Sequence, residues 1–155
     1  MDMAHLFLLE PEAVATVKAG DKAQVLGALA DRFAAVYELD RAEVLERIEE
    51  RERLGSTGFG RGVASPHARI GGVTAPIAAF LRLETPVAFD AADGMPVGLV
   101  FGLLSPEQGG AAHLQALAAI SRMMRDERMR ANLEAAPDAE ALYGLLCNVI
   151  DRDAA

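Results

Sequence analysis

Apolar residues recur with helical spacing in two segments that follow each other near the start of the chain. Gly20 and Asp21 stand just before the first segment as a helix breaker and an N-cap residue. Asp40 and Glu43 form a capping-box-like start for the second segment, which ends at Gly55. The apolar stripes consist of Val25, Leu26, Leu29, Phe33, Val36 and Tyr37, and then of Val44, Leu45 and Ile48. The pattern predicts two consecutive amphipathic helices.

Two nearly continuous apolar runs follow in the middle of the chain, at residues 77–83 and 96–104. Their length and their content of Val, Leu and Phe are typical of buried strands. Residues 87–90 between them are expected to form a further short strand. Asp93 and Gly94 are the residue types that a turn with positive φ prefers. This region therefore predicts the strands of a sheet.

Helical spacing returns in the last third of the chain. The stripes are His113, Leu117, Ile120 and Met124 and, after the break at Pro137-Asp138, Leu142, Leu146, Val149 and Ile150. A shorter helix is expected at residues 126–133. A length of 155 residues indicates a single domain, with its core at about residues 5–150. We therefore expect an α/β (α+β-like) fold in which a mixed sheet of about five strands is flanked by helices.

The chain carries 15 Lys and Arg residues against 23 Asp and Glu residues, for a formal net charge of −8. Nucleic-acid backbones and anionic membrane surfaces attract basic proteins, so neither is expected as a partner. No uncharged run reaches the roughly 18 apolar residues of a membrane span, and the acidic start of the chain is unlike a signal peptide. Cys147 is the one cysteine, which excludes an internal disulfide. These features favour a cytoplasmic protein.

Residues 55–72 contain six glycines and one proline, a composition that prevents a regular helix there. The stretch does not fit a P-loop, because a helix is predicted before it and Arg61-Gly62 stands where Lys-Ser/Thr is required. It does not fit a dinucleotide-binding fingerprint, which needs a strand before the glycines and a helix opening on them. What remains is a turn-rich loop whose free backbone N–H groups suit an anion.

Two side chains beside this loop are candidates for chemistry, and each also has a plain structural explanation. His67 follows Pro66 among small residues, where its ring either protrudes toward a partner or is a loop residue without a role. Arg51 falls on the apolar face of the second helix and has no acidic neighbour one turn away. Its partner is therefore either an anion near the loop or a distant carboxylate such as Asp90 or Asp93.

His113 lies on the apolar stripe of a predicted helix, either as a core residue or as a second polar group at the edge of a pocket. The three histidines of the chain do not stand at ligand spacing, so no metal site is predicted. Signatures of the G-x-S-x-G and H-E-x-x-H types are missing from the sequence. No cofactor is implied by these residues.

Residues 51–67 read RERLGSTGFGRGVASPH. This stretch closely resembles the active-site segment of enzyme IIA proteins of the fructose/mannitol class of the bacterial phosphoenolpyruvate-dependent phosphotransferase system, most of all its nitrogen-regulatory branch. Further similarity lies in TPVAFD at residues 85–90, in DGMPV at residues 93–97, and in His113-Leu114 leading to Ser121-Arg122. The resemblance covers most of the chain from about Val25, and it implies a single enzyme IIA type 2 domain at residues 1–155.

The resemblance implies a phosphocarrier, that is, a phosphotransferase component that accepts a phosphoryl group on His67 from an HPr-like protein. In the family, the accepting atom is Nε2, and the residues that match Arg51 and His113 lie beside it, the arginine to stabilise the phosphate. The implied role is regulation of nitrogen- and potassium-related metabolism through unidentified target proteins. Two alternatives stay open: a sugar-specific IIA subunit that passes phosphate to a separate IIB protein, and a regulatory binding module that works without phosphate.

Two residues next to His67 depart from the family pattern. Ala68 stands where glycine is usual, and it would strain the loop if this position had a positive φ. Ser65 stands where an aliphatic residue is commoner, and we expect its side chain either to point outward or to form a hydrogen bond near the site. Neither departure removes a candidate site residue.

Overall fold

The computed structural model describes residues 6–108 and 110–154, with side chains as far as Cys147. This part of the chain forms six strands and five helices. They are β1 (Leu8–Val17), α1 (Lys22–Tyr37), α2 (Arg41–Leu54), β2 (Gly58–Gly60), β3 (Val63–Ala64), β4 (His67–Ile70), β5 (Ile77–Val87), β6 (Val97–Pro106), α3 (Ala111–Arg125), α4 (Glu127–Ala135) and α5 (Ala139–Ala154). The predicted α/β class, with a mixed sheet flanked by helices in one domain, is confirmed.

Side-chain caps begin the first two predicted helices where the sequence indicates. Asp21 Oδ1 accepts a hydrogen bond from the Gln24 N–H at 2.8 Å, and α1 begins at the next residue after Asp21. Asp40 caps α2 in the same way through the Ala42 N–H at 3.1 Å. These bonds satisfy N–H groups that have no partner within the helix. Of the last apolar stripe, Leu142 and Leu146 are buried, and the side chains of Val149 and Ile150 lie outside the described residues.

The sheet has the strand order β1-β5-β6-β3-β2, and β4 also pairs with β6. Strands β5 and β6 are antiparallel, whereas β1 runs parallel to β5, and β3 and β4 run parallel to β6. β3 pairs with residues 99–100 of β6 and β4 with residues 103–106, so the two short strands follow each other along the same edge of β6. His67 is the first residue of β4 and lies at the junction between them.

Helices cover both faces of this sheet. A Cβ added at Gly102 of β6 would lie 2.8 Å from Leu29 Cδ2, so this position faces α1. Ser105, three residues further along β6, faces α3, because its Oγ lies 2.6 Å from the Nδ1 of His113. Successive side chains of a strand point to opposite faces, so α1 and α3 lie on opposite sides of the sheet. The rings of Phe80 on β5 and Phe101 on β6, which are cross-strand partners, pack edge to face.

The structure corrects two expectations about strands. The apolar pattern predicts no element before Gly20, but β1 lies there; it is an edge strand whose register shifts between Leu9 and Val14 and which contains Pro11. Proline and bulges are tolerated at such an edge, and they remove the regular alternation. Residues 88–90 form no strand: Val87 ends β5, and Asp90 has a φ of 54°, which extended backbone does not allow. Residues 88–96 instead connect β5 to β6, with a turn at Gly94.

Among the helices that the structure describes, none combines the length and the apolar character needed to cross a membrane.

Candidate functional site

His67 is half-buried, and its ring is held by one hydrogen bond to the backbone. Its Nδ1 lies 2.8 Å from the carbonyl oxygen of Ser65. A carbonyl only accepts, so Nδ1 of the neutral ring carries the proton and Nε2 keeps a free lone pair. Burial lowers the pKa of His67 from 6.5, and the positive charge of Arg51 contributes in the same direction. At neutral pH the ring is therefore a neutral nucleophile at Nε2.

The two departures from the family pattern both fit this arrangement without strain. Ala68 lies in β4 and does not have a positive φ, so the methyl group costs nothing in the backbone. The side chain of Ser65 points inward, and its Oγ donates to the carbonyl oxygen of Phe101 at 2.9 Å. This bond ties the residue that holds the His67 ring to the central strand β6.

Arg51 lies near the C-terminal end of α2, beside His67. One Nη1 hydrogen bond is donated to the carbonyl oxygen of Gly55 at 2.8 Å. In the described part of the chain, no carboxylate lies within 4.0 Å of its guanidinium, so the structural ion pair with Asp90 or Asp93 is not formed. Asp93 instead accepts from the Arg61 N–H at 2.9 Å, and Asp90 lies 4.0 Å from Lys22. Most of the donors of Arg51 are thus available to an anion.

Two adjacent open pockets meet at His67 and Arg51. The first has a volume of about 290 Å³ and is lined by Arg51, Ser56, Thr57, Phe59, Ser65, His67, Leu117 and Ser121. The second has a volume of about 330 Å³ and is lined by Arg47, Glu50, Arg51, Leu54, His67, Ala68, Arg69 and His113. The three residues singled out from the sequence therefore surround one concave surface.

His113 lies at the start of α3 and faces His67. The ring centroids are 5.5 Å apart, and the ring planes are inclined by 52°. The side chain is buried, and its Nδ1 lies 2.6 Å from Ser105 Oγ. Burial lowers the pKa of His113 to about 4, with smaller contributions from the nearby His67 and Arg69. His113 is therefore also neutral at physiological pH.

Glu52, whose importance the sequence reasoning missed, holds the glycine-rich loop in place. Its buried carboxylate accepts hydrogen bonds from the N–H of Thr57 at 3.2 Å and from the Thr57 hydroxyl. The same carboxylate forms an ion pair with Lys22 at 2.9 Å, and the Lys22 ammonium lies 4.6 Å from the centroid of the Phe89 ring. Glu52 follows Arg51 on the helix face that meets the loop, and a charged residue at that position was the signal in the sequence that could have identified it.

The loop uses its backbone N–H groups differently from the expectation that they are free. The N–H of Thr57 is donated to Glu52, that of Gly58 to Ser56 Oγ at 3.0 Å, and that of Arg61 to Asp93. A loop that is partly buried must satisfy these groups internally. The side chains that border the pockets, more than the loop backbone, therefore offer free donors at this site.

Comparison with known proteins identifies the family. The sequence profile described as "Phosphoenolpyruvate-dependent sugar phosphotransferase system, EIIA 2" matches residues 7–149. The chain belongs to this family. As an EIIA 2 protein it is a phosphotransferase component with the role of a phosphocarrier. Proteins of this kind pass phosphate between HPr-like proteins and IIB partners.

Similar EIIA proteins include a nitrogen regulatory protein of Pseudomonas aeruginosa, which is 44% identical over 88% of this chain and 90% of its own length. A nitrogen regulatory protein of Bradyrhizobium diazoefficiens is 41% identical over 90% of this chain and 92% of its own. The crystal structure of nitrogen regulatory protein IIA-Ntr from Neisseria meningitidis superposes with a TM-score of 0.82 at 36% identity. The match covers 89% of this chain and 95% of that one. The resemblance to the nitrogen-regulatory branch is confirmed.

Proposed function

We propose that this EIIA protein accepts the phosphoryl group on Nε2 of His67 from the phosphohistidine of an HPr-like carrier. The observation that carries the proposal is the bond from Nδ1 of His67 to the carbonyl of Ser65, which leaves the Nε2 lone pair free beside Arg51. The lone pair attacks phosphorus and forms a new nitrogen–phosphorus bond. The donor's nitrogen–phosphorus bond breaks, and its electron pair returns to the donor ring.

Arg51 is proposed to hold the transferring phosphoryl group. Phosphoryl transfer depends on in-line positioning and on stabilisation of charge, and a guanidinium supplies several donors to phosphate oxygens. His113 is proposed as the second active-site histidine. It would contact the phosphoryl group from the side of the second pocket that faces His67. Both roles agree with the shared pockets and with the 5.5 Å separation of the two rings.

The phosphorylation state is proposed to control unidentified regulatory target proteins in the cytoplasm. A phosphohistidine adds about −1.5 to −2 charges by analogy with other phosphorylated residues, which changes the partners that the surface around His67 accepts. The names of the similar nitrogen regulatory proteins support nitrogen-related metabolism as the output, and regulation of potassium-related metabolism is part of the same proposal. We take the whole of residues 1–155 as the single EIIA domain that performs this role.

The test is incubation with phosphoenolpyruvate, enzyme I and an HPr-like carrier, followed by intact-mass measurement. Wild type is expected to gain one phosphoryl group, about 80 Da. The His67→Ala variant, checked for folding by circular dichroism, is expected to gain none. Equal labelling of the variant, or no labelling of wild type, contradicts the proposal. In the latter case, unchanged partner binding by His67→Ala would instead support a module that regulates without phosphate.

A sugar-specific role is the second candidate, because the family description names a sugar phosphotransferase system. In that role His67 would pass its phosphoryl group to a separate IIB protein. Mixing the phosphorylated protein with IIB proteins of the same cell distinguishes the two candidates. Rapid loss of the label to one IIB protein supports the sugar-specific role, and retention of the label supports the regulatory role.

A further inference from the structure

Ser105 is a polar residue in an otherwise apolar strand, and its side chain is fully buried. It lies near the end of β6, opposite Arg69 of β4, with an exposure of 0%. Within the described residues its hydroxyl has one polar partner, the Nδ1 of His113 at 2.6 Å. Neither the apolar pattern of the strand nor the site residues identified above account for this hydroxyl.

The direction of this hydrogen bond follows from what each group can do. A serine hydroxyl has one hydrogen to donate, and a buried donor that finds no acceptor is costly. If Nδ1 of His113 carried the ring proton, the Ser105 hydroxyl would have no acceptor. The hydroxyl therefore donates and Nδ1 accepts, so a neutral His113 carries its proton on Nε2.

The surroundings of His113 keep the ring neutral and its Nε2 near the site. The charged groups that border the same pocket are the cations of Arg47, Arg51 and Arg69 and the carboxylate of Glu50, which forms an ion pair with Arg47 at 3.6 Å. Arg69 is tied beside His113 by hydrogen bonds to the carbonyl oxygens of Pro106 at 3.4 Å and Gly110 at 3.2 Å. Because Nδ1 is turned into the protein toward Ser105, Nε2 is the ring nitrogen left for the pocket that His113 shares with His67.

We infer that Ser105 is a positioning residue that holds neutral His113 as an Nε2–H donor toward the phosphoryl group carried by His67. The inference rests on the proposed function of His67. The two imidazoles then have opposite tautomers. Ser65 accepts from Nδ1 of His67 and leaves Nε2 free to attack, whereas Ser105 donates to Nδ1 of His113 and leaves a proton on Nε2 to bind a phosphoryl oxygen.

The direct test is nitrogen NMR of the imidazole rings in unphosphorylated wild type at neutral pH. The inference predicts that His113 has a protonated Nε2 and an unprotonated Nδ1, and that His67 has the reverse. A proton on Nδ1 of His113 overturns it. This result does not depend on phosphorylation, so it is separate from the outcome of the labelling assay on His67.

The functional test compares the rate of phosphoryl transfer in Ser105→Ala and Ser105→Thr. Loss of the hydroxyl is expected to slow transfer roughly three- to tenfold, and threonine is expected to restore it, because one hydrogen bond to a charged group is weakened. Both variants should still reach one phosphoryl group on His67. In a His113→Ala background, Ser105→Ala should have no further effect. An unchanged rate in Ser105→Ala, or an equal loss in that background, contradicts the inference.

Discussion

At the scale of single residues, the positive charge at the site comes from arginine and not from imidazole. The pKa values of His67 and His113 both lie below 6.5, mainly because the rings are buried. Both rings are therefore neutral at physiological pH. Arg51 has no carboxylate within 4.0 Å among the described residues, so its charge is not neutralised locally. We expect this guanidinium to supply most of the electrostatic stabilisation.

Arg51→Lys tests that expectation, because it keeps the charge and removes the planar set of donors. We expect phosphoryl transfer to slow by about tenfold, since an ammonium cannot contact two phosphate oxygens as a guanidinium does. The free energy of unfolding should change by less than about 0.5 kcal/mol. The transfer rate is measured by labelling of His67 in samples quenched at successive times. The free energy of unfolding is measured by urea denaturation.

Arg53→Lys is the matched control for this variant. Arg53 lies in the same last turn of α2, is exposed, and lines neither pocket at His67. Its transfer rate should stay within about twofold of wild type, as expected for a surface substitution away from the site. Equal slowing of both variants would show that general charge, and not the geometry of Arg51, controls the rate.

The sequence allowed the candidate residues to be named but not their partners. His67, Arg51 and His113 stood out through a motif and through polarity on apolar faces, and the structure brings them to one surface. Ser105 lies within an apolar strand, and the hydrogen bond that explains its hydroxyl is made to His113 on α3. Such contacts depend on which helix packs on which face of the sheet, and the local spacing of residues does not encode this.

At the level of secondary-structure elements, one partly buried ion pair joins the beginning of α1, the end of α2 and the glycine-rich loop. Lys22 is the first residue of α1, Glu52 lies in the last turn of α2, and Thr57 lies in the loop. The loop carries the wall of the first pocket, including Phe59. Its position is therefore determined by the packing of the two helices.

Glu52→Ala is expected to lower the free energy of unfolding by about 2–4 kcal/mol, because it leaves Lys22 and the Thr57 N–H without their buried partner. Phosphoryl transfer should fall as well, since the loop loses its anchor. Urea denaturation measures the stability change. Glu46→Ala is the control on the same helix: Glu46 is exposed, and we expect a change within about 0.5 kcal/mol. Similar losses in the two variants would contradict the role of Glu52.

Gly102 permits α1 to pack closely on β6. A Cβ there would lie 2.8 Å from Leu29 Cδ2 and 3.1 Å from Phe33 Cε2, both on fully buried side chains. Gly102→Ala should therefore destabilise the fold by about 1–3 kcal/mol through overpacking. Gly144→Ala in α5 is the opposite case, because an added Cβ meets nothing within 4 Å.

The Gly144→Ala variant should be neutral or more stable by up to about 1 kcal/mol, as alanine favours a helix. Thermal or urea unfolding of Gly102→Ala and Gly144→Ala measures both predicted stability changes. A Gly102→Ala protein as stable as wild type would show that α1 can move away from the sheet at little cost.

The helices were predictable because their caps and their apolar stripes are local in sequence. Asp21 and Asp40 begin helices one residue later, as their positions indicate. The strands were harder: β3 has two residues, which is too short for any alternation, and β1 carries a proline at the sheet edge. Their existence depends on pairing with β6 and β5, contacts between segments that are distant along the chain.

At the scale of the whole molecule, the two low histidine pKa values make stability depend on pH. The unfolded chain binds protons at His113 near 6.5, whereas the folded protein does so only near 4. Stability from this residue is therefore complete above 6.5 and is lost as the pH falls toward 4, by about 3 kcal/mol in total. His67 acts in the same direction.

Urea denaturation between pH about 7 and about 5 measures this dependence. Carboxylates titrate over part of that range, so the comparison is with His113→Asn, whose amide retains a group for Ser105 but does not titrate. The variant should lose less stability than wild type as the pH falls. Parallel curves for the two proteins would mean that His113 is protonated in the folded state as readily as in the unfolded chain.

In the proposed phosphorylated state, the phosphoryl group is bonded to Nε2 of His67. Heteronuclear NMR of the isotope-labelled protein, phosphorylated through enzyme I and an HPr-like carrier, detects the coupling between phosphorus and a ring nitrogen. We expect that coupling at Nε2 of His67, with Nδ1 still protonated and donating to Ser65. Phosphorus coupled to Nδ1 of His67, to either nitrogen of His113, or to another side chain would contradict the proposed role of Nε2.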